Sequence, residues 1–141
     1  MKSLVINTRI KKNKICVWNA LTNHSEMIQW FFNNIPNFKA EVGFRTWFVV
    51  DTGVRTFYHL WEVKEVIKTT SITVAWCYPD YLKESFKVKF ELKDKNENTT
   101  DFAVLVEGIE KFEHLKIPEL TKGSCKDGWL YFLNKLKEYL A

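Results

Sequence analysis

The chain has 141 residues, 46% of them hydrophobic, and its 21 basic and 17 acidic side chains give a formal charge of +4. That length suits one domain, spanning 1–141, and excludes an enzyme with separate cofactor and substrate modules. The lysines are interleaved with Glu and Asp, and Arg occurs only at Arg9, Arg45 and Arg55, which reads as a solvated surface and excludes a nucleic-acid footprint.

Leu4, Ile6, Thr8 and Ile10 alternate with polar or smaller residues and predict a first strand. Asn13 stands where a helix cap belongs, before a stripe of Ile15, Trp18 and Leu21 with Val17 and Ala20 beside it. Thr22-Asn23 breaks that helix. Ser25 is expected to cap a second short one from Glu26 to about Phe32, and Pro36 and Gly43 bracket a loop. Phe44 to Val50 predicts a strand, Asp51-Thr52-Gly53 a hairpin turn, and Val54 to Ile67 its second arm. After a turn at Lys68 to Ser71, Ile72 to Tyr78 predicts another strand, and Pro79-Asp80 ends it. Phe86, Val88, Phe90 and Leu92 alternate with Lys87, Lys89 and Glu91, one face wet and one buried. Thr100, Phe102, Val104 and Val106 form the last strand face. Pro118 keeps Gly108 to Lys122 irregular. Cys125 to Leu140 is helical, with Trp129, Phe132, Leu133, Leu136 and Leu140 on one stripe.

The order predicts an α+β fold: a curved antiparallel sheet of about six to seven strands wrapped around the long terminal helix, with two short helices after the first strand. Aromatics make up 16% of the chain, with 11 Phe, 6 Trp and 5 Tyr. Many of those rings fall on the inner sheet face and the facing helix. Either they pack solidly or they leave a gap between sheet and helix. Cys16, Cys77 and Cys125 form no paired motif, and His24, His59 and His114 are scattered, so neither a disulfide framework nor a metal site is expected, and no cofactor. The start, MKSLVINTRIKK, lacks the apolar core of a leader peptide, and no apolar run reaches membrane-spanning length. A cytoplasmic location is expected.

Lys14 to Thr22, reading KICVWNALT, and Ile28-Gln29-Trp30-Phe31 resemble the "VWxALT" helix and "WF" segment of the SRPBCC superfamily. More narrowly, they resemble the family named after the activator of the heat-shock protein 90 ATPase. Glu65-Val66 with Ile72 to Trp76, Phe90-Glu91-Leu92 with Thr99 to Phe102, and Gly128-Trp129 with Leu133, Leu136, Lys137, Tyr139 and Leu140 extend the likeness over most of the chain. Ala75, Val106 and Trp61 depart from it, standing where Thr, His and Gly are common. The resemblance implies a START-like helix-grip fold and a hydrophobic pocket for a lipid or other apolar molecule. The name-giving co-chaperone carries a further domain that this length does not hold, so a chaperone partner follows only from the family name.

The candidate cavity lining on the strands is Phe44, Tyr58, His59, Trp61 and Trp76, then Phe86, Val88, Phe90, Phe102 and Val104. On the helices it is Trp30, Trp129, Phe132, Leu133 and Leu136. Arg45, Arg55, Tyr58 or His59 would fix a ligand's orientation. No catalytic residue is assigned. Glu62 and Glu65, three apart on one strand, should face opposite ways and form no acid pair. Three readings follow: non-catalytic binding of a hydrophobic or aromatic small molecule, a cyclase or hydratase, or an interaction module. The last would be chaperone-associated or a homodimer through Trp47, Trp61 or Tyr81. Trp61 separates them: pointing inward it reshapes the pocket, and outward it makes a contact surface.

Overall fold

A computed structural model describes residues 3–141; Met1 and Lys2, the first two residues of the opening MKSLVINTRIKK, lie outside them. Six strands form one sheet: β1 (Ser3–Ile10), β2 (Arg45–Asp51), β3 (Thr56–Ile67), β4 (Ser71–Tyr78), β5 (Leu82–Asn96) and β6 (Thr99–Glu107). Their spatial order is β1-β6-β5-β4-β3-β2, every neighbour antiparallel. The helices are α1 (Lys14–Thr22), α2 (His24–Trp30) and α3 (Lys122–Tyr139), the last preceded by 3₁₀ segments at Ile109–Leu115 and Pro118–Leu120. This is the α+β helix-grip arrangement expected from the sequence.

Polar side chains set the helix starts. Asn13 Oδ1 accepts from the Cys16 N–H at 2.9 Å and opens α1. Asn23, not Ser25, opens α2: its Oδ1 accepts from both the N–H and the hydroxyl of Ser25, at 3.1 and 2.8 Å. The chain turns so sharply between α1 and α2 that Asn23 closes one helix and starts the next. In α1 the buried face is Val17, Trp18, Ala20 and Leu21, while Ile15, expected on that stripe, is exposed in the first turn.

The inner face of the sheet carries the core. Phe57, His59, Trp61 and Val63 of β3 face inward with Ile72, Val74 and Trp76 of β4 and Phe86, Val88, Phe90 and Leu92 of β5. Helix α3 covers them with Trp129, Leu133 and Leu136. A bulge in β3 shifts the register between Val63 and Glu65. That extra residue resets the pleat, so Glu62 and Glu65 both lie on the outer face, opposite Ala75 and Thr73. The expected opposite facing assumed an unbroken period of two. At the sheet edge the loop after α2 runs beside β2, and Asn34 Nδ2 donates to the Val49 carbonyl at 2.6 Å.

Candidate functional site

Two ends of the space between sheet and α3 are packed differently. At one end Trp61 turns inward, 3% exposed, and meets Met27, Phe38, Val74, Val88 and Phe90 with a residual void of only about 10 Å³. Its ring lies 4.8 Å from Trp76 and edge-on to Phe48 at 5.1 Å. At the other end, beneath the first half of α3, a cleft of about 270 Å³ remains. A larger hollow of about 430 Å³ lies on the outer face of the sheet and is walled by Arg9, Asp101, Glu91 and Lys93. It is a solvated depression over the pleat, where Arg9 and Asp101 pair at 2.8 Å.

Of the expected lining, the structure brings His59, Trp76, Phe86, Trp129 and Phe132 together around the cleft. Trp61, Val88 and Phe90 belong to the packed end. Trp30 is buried and its indole N–H donates to the Ala20 carbonyl at 2.8 Å, away from the cleft. Phe44 packs edge-on against Phe38. Phe102, Val104, Leu133 and Leu136 are solid core. The expectation for Tyr58 is corrected: it alternates with inward Phe57 and His59, so it stands on the outer face opposite Val49. Arg45 is corrected likewise. It is exposed and reaches Glu62 on that outer face at 3.6 Å.

Several lining residues were not singled out from the sequence. Phe31 and Phe32 follow α2, where the backbone turns extended, and their rings enter the cleft. Phe31 stacks on Trp129 at 5.4 Å and meets Phe132 edge-on at 4.6 Å. Tyr78 and Phe57 come from the strands, Ile109 and Leu120 from the 3₁₀ segments, and Cys125 and Gly128 from α3. Inward parity could have found Tyr78 from Trp76 and Phe57 from His59; nothing local marks the others. At the rim Glu119 accepts from Arg55 at 2.8 Å and from the Thr52 hydroxyl at 3.2 Å, joining the β2–β3 hairpin to the segment before α3. Arg55 thus serves as a partner for Glu119.

His59 is the polar centre. It is 4% exposed, stacked on Phe48 at 4.8 Å and meeting Tyr78 edge-on at the same distance. Its Nδ1 lies 3.1 Å from the Phe57 carbonyl. A carbonyl only accepts, so Nδ1 carries the proton and Nε2 holds a lone pair. Burial drives the ring's pKa down to about 4, against the pull of the Phe57 carbonyl, so the ring is neutral near pH 7. Burial also pushes the Cys125 thiol up to about 11 and the Tyr78 hydroxyl higher still, where Cys125 adds to the effect. Among the described residues no group of three or more His, Cys, Asp or Glu is placed to hold a metal ion, and no helix is long and apolar enough to cross a membrane.

No curated protein matches the chain. Solved structures do, across nearly its full length. A Mesorhizobium loti protein superposes with a TM-score of 0.76 at 22% identity, covering 99% of this chain and 96% of the other. An HSP90 activator from Plasmodium falciparum gives 0.73 at 19% identity, covering 99% and 96%. The Aha1 dimer from Colwellia psychrerythraea gives 0.72 at 20% identity with the same coverage. Identities this low carry the fold alone. The profile of the family described as activator of Hsp90 ATPase homolog 1-like protein matches residues 16–141, a stretch that holds most of α1, all of α2, five of the six strands and α3, and the chain belongs to that family.

Proposed function

We propose that the protein binds an apolar or aromatic small molecule in the cleft beneath α3 without covalent chemistry. One observation carries this reading. The buried titratable groups of the cleft, His59, Cys125 and Tyr78, are all held in their neutral forms among aromatic walls, and the carboxylate that also lines it, Glu119, is paired with Arg55 at the rim. Neutral groups can orient a ligand by hydrogen bonds. A thiol held above its usual range is a poor nucleophile, and a base near 4 is far from the pKa that suits proton transfer at neutral pH. Both facts weigh against a cyclase or hydratase. Titration with the neutral fluorophore N-phenyl-1-naphthylamine tests the proposal. Saturable one-to-one binding that disappears in Phe132→Asp is expected; a response that never saturates would overturn it.

A second reading, an interaction module, is favoured by a different observation. On the outer face of β2, Trp47 is 56% exposed and Val49 42%, and in register they flank Leu60 and Tyr58 of β3. Trp61 is buried and Tyr81 is half-buried with its hydroxyl donating to the Thr56 carbonyl, so of the three side chains suggested from the sequence Trp47 carries this reading. The related Colwellia protein is described as a dimer and the Plasmodium one as an HSP90 activator. Light scattering at rising concentration, with Trp47→Lys as the control, separates a self-associating chain from a monomer, and a pull-down with Hsp90 tests the chaperone.

A further inference from the structure

We propose that this cleft selects a neutral, flat, two-ring aromatic alcohol whose hydroxyl donates a hydrogen bond to His59 Nε2. The inference rests on the small-molecule reading above and adds the ligand's polar group, charge and size.

The polar group follows from His59. Its Nδ1–H is taken by the Phe57 carbonyl, and among the described residues nothing hydrogen-bonds Nε2. A half-turn of the ring would break the bond from Nδ1 to the Phe57 carbonyl, and the rings around it hold its plane. Phe48 covers one face at an interplanar angle of 22°, Tyr78 stands against it at 89°, and Phe32 and Trp76 close in at 5.5 and 5.7 Å. The cleft therefore presents a fixed acceptor set in an apolar wall. A ligand with a donor satisfies it. One without a donor takes water from it and leaves it unpaired, which is where such sites discriminate most.

The charge follows from what is missing at the walls. Among the described residues no Lys or Arg lines the cleft, the Arg55 guanidinium at the rim is held by Glu119, and Glu119 itself adds a carboxylate there. A carboxylate, sulfonate or phosphate would enter without a counter-charge and beside a like one.

The size follows from volume. A buried apolar cavity of about 150 Å³ accepts benzene. At about 270 Å³ this cleft has room for two fused rings, the naphthalene part of N-phenyl-1-naphthylamine included, whose phenyl group would stay at the open mouth. Its walls meet edge to face, as Phe31 and Phe132 do at 88°, which is the geometry in which aromatic edges and faces attract a third flat ring.

Four naphthalenes of nearly equal shape test this by calorimetry on the intact chain: 2-naphthol, 2-methoxynaphthalene, naphthalene and 2-naphthoate. We expect 2-naphthol to bind about tenfold tighter than 2-methoxynaphthalene, which fills the same space but cannot donate, and 2-naphthoate to bind weakest. In His59→Phe the preference for the alcohol disappears while 2-methoxynaphthalene still binds; in His59→Gln, which keeps an acceptor, part of the preference returns. Circular dichroism checks that both variants fold. Equal binding of alcohol and ether, tighter binding of the naphthoate, or a preference that survives His59→Phe would overturn the inference and leave the binding cleft standing. Saturable binding of none of the four would overturn both.

Discussion

Gly128 gives the sharpest handle on the cleft. It sits in α3 between Asp127 and Trp129, lines the cleft, and a Cβ built there meets nothing within 4 Å. Glycine in a helix interior is about 1 kcal/mol less favourable than alanine or leucine. Gly128→Ala should therefore raise stability by about that amount, moving the melting temperature up by roughly 4 °C for a chain this size. Gly128→Leu keeps the helix gain and adds an isobutyl group. Glycine leaves that space to the cleft, so an isobutyl group projecting from the same position would take a large share of the 270 Å³. Two fused rings would no longer fit. The expected result is a leucine variant at least as stable as the parent, with affinity for N-phenyl-1-naphthylamine down tenfold or more. Thermal unfolding and fluorescence titration on the same samples read both quantities. A Gly128→Leu protein that melts normally and binds as well as the parent would refute the placement of the ligand under α3.

Three further outcomes follow from the same geometry. Unfolded His59 titrates near 6.5 and folded His59 near 4, so below pH 6.5 the unfolded chain holds a proton that the folded one lacks. Stability is then fully present above pH 6.5 and falls as pH drops, by about 3 kcal/mol at pH 4, and urea midpoints should show that slope flattened in His59→Phe. Glu119→Gln removes the rim pair with Arg55, whose side chains are 25% and 37% exposed; stability should change by less than about 1 kcal/mol, while stopped-flow dissociation of the bound fluorophore becomes faster. Asn23→Ala should lower the urea-derived stability by about 1 kcal/mol, because α2 loses its cap; an unchanged midpoint would mean that Ser25 can replace it.

The framework was legible wherever one side chain in two, or three and four apart, had to be apolar. The alternation from Phe86 to Leu92 and the stripe from Trp129 to Leu140 mark faces that the structure buries. What broke the reading was anything that resets phase. The bulge beyond Val63 turned Glu65 to the same side as Glu62, and no local residue announces it. Tyr58 and His59 are neighbours on one strand, so only one of them can face inward, and the outer place of Tyr58 was available from parity alone. The cleft itself was not legible. Inward residues line a solid core at the Trp61 end and an open space at the His59 end. Which end is which depends on where Phe31, Phe32 and the segments at Ile109 and Leu120 come to rest, and those contacts are set by tertiary packing across distant parts of the chain.

The edge of the sheet has a consequence for how the protein keeps in solution. Strand β2 runs Thr46 to Val50 without a charge, rich in β-formers, and has the composition of a segment that stacks on copies of itself. Arg45 and Asp51 bracket it, and the Asn34 amide occupies its Val49 carbonyl. Misassembly in concentrated samples would therefore begin with lifting of the loop that carries Asn34, a local opening far smaller than unfolding. Asn34→Ala should leave the melting temperature almost unchanged and yet shorten the lag before thioflavin-positive fibres form. For this fold, shelf life and thermal stability are then separate properties, governed by different residues.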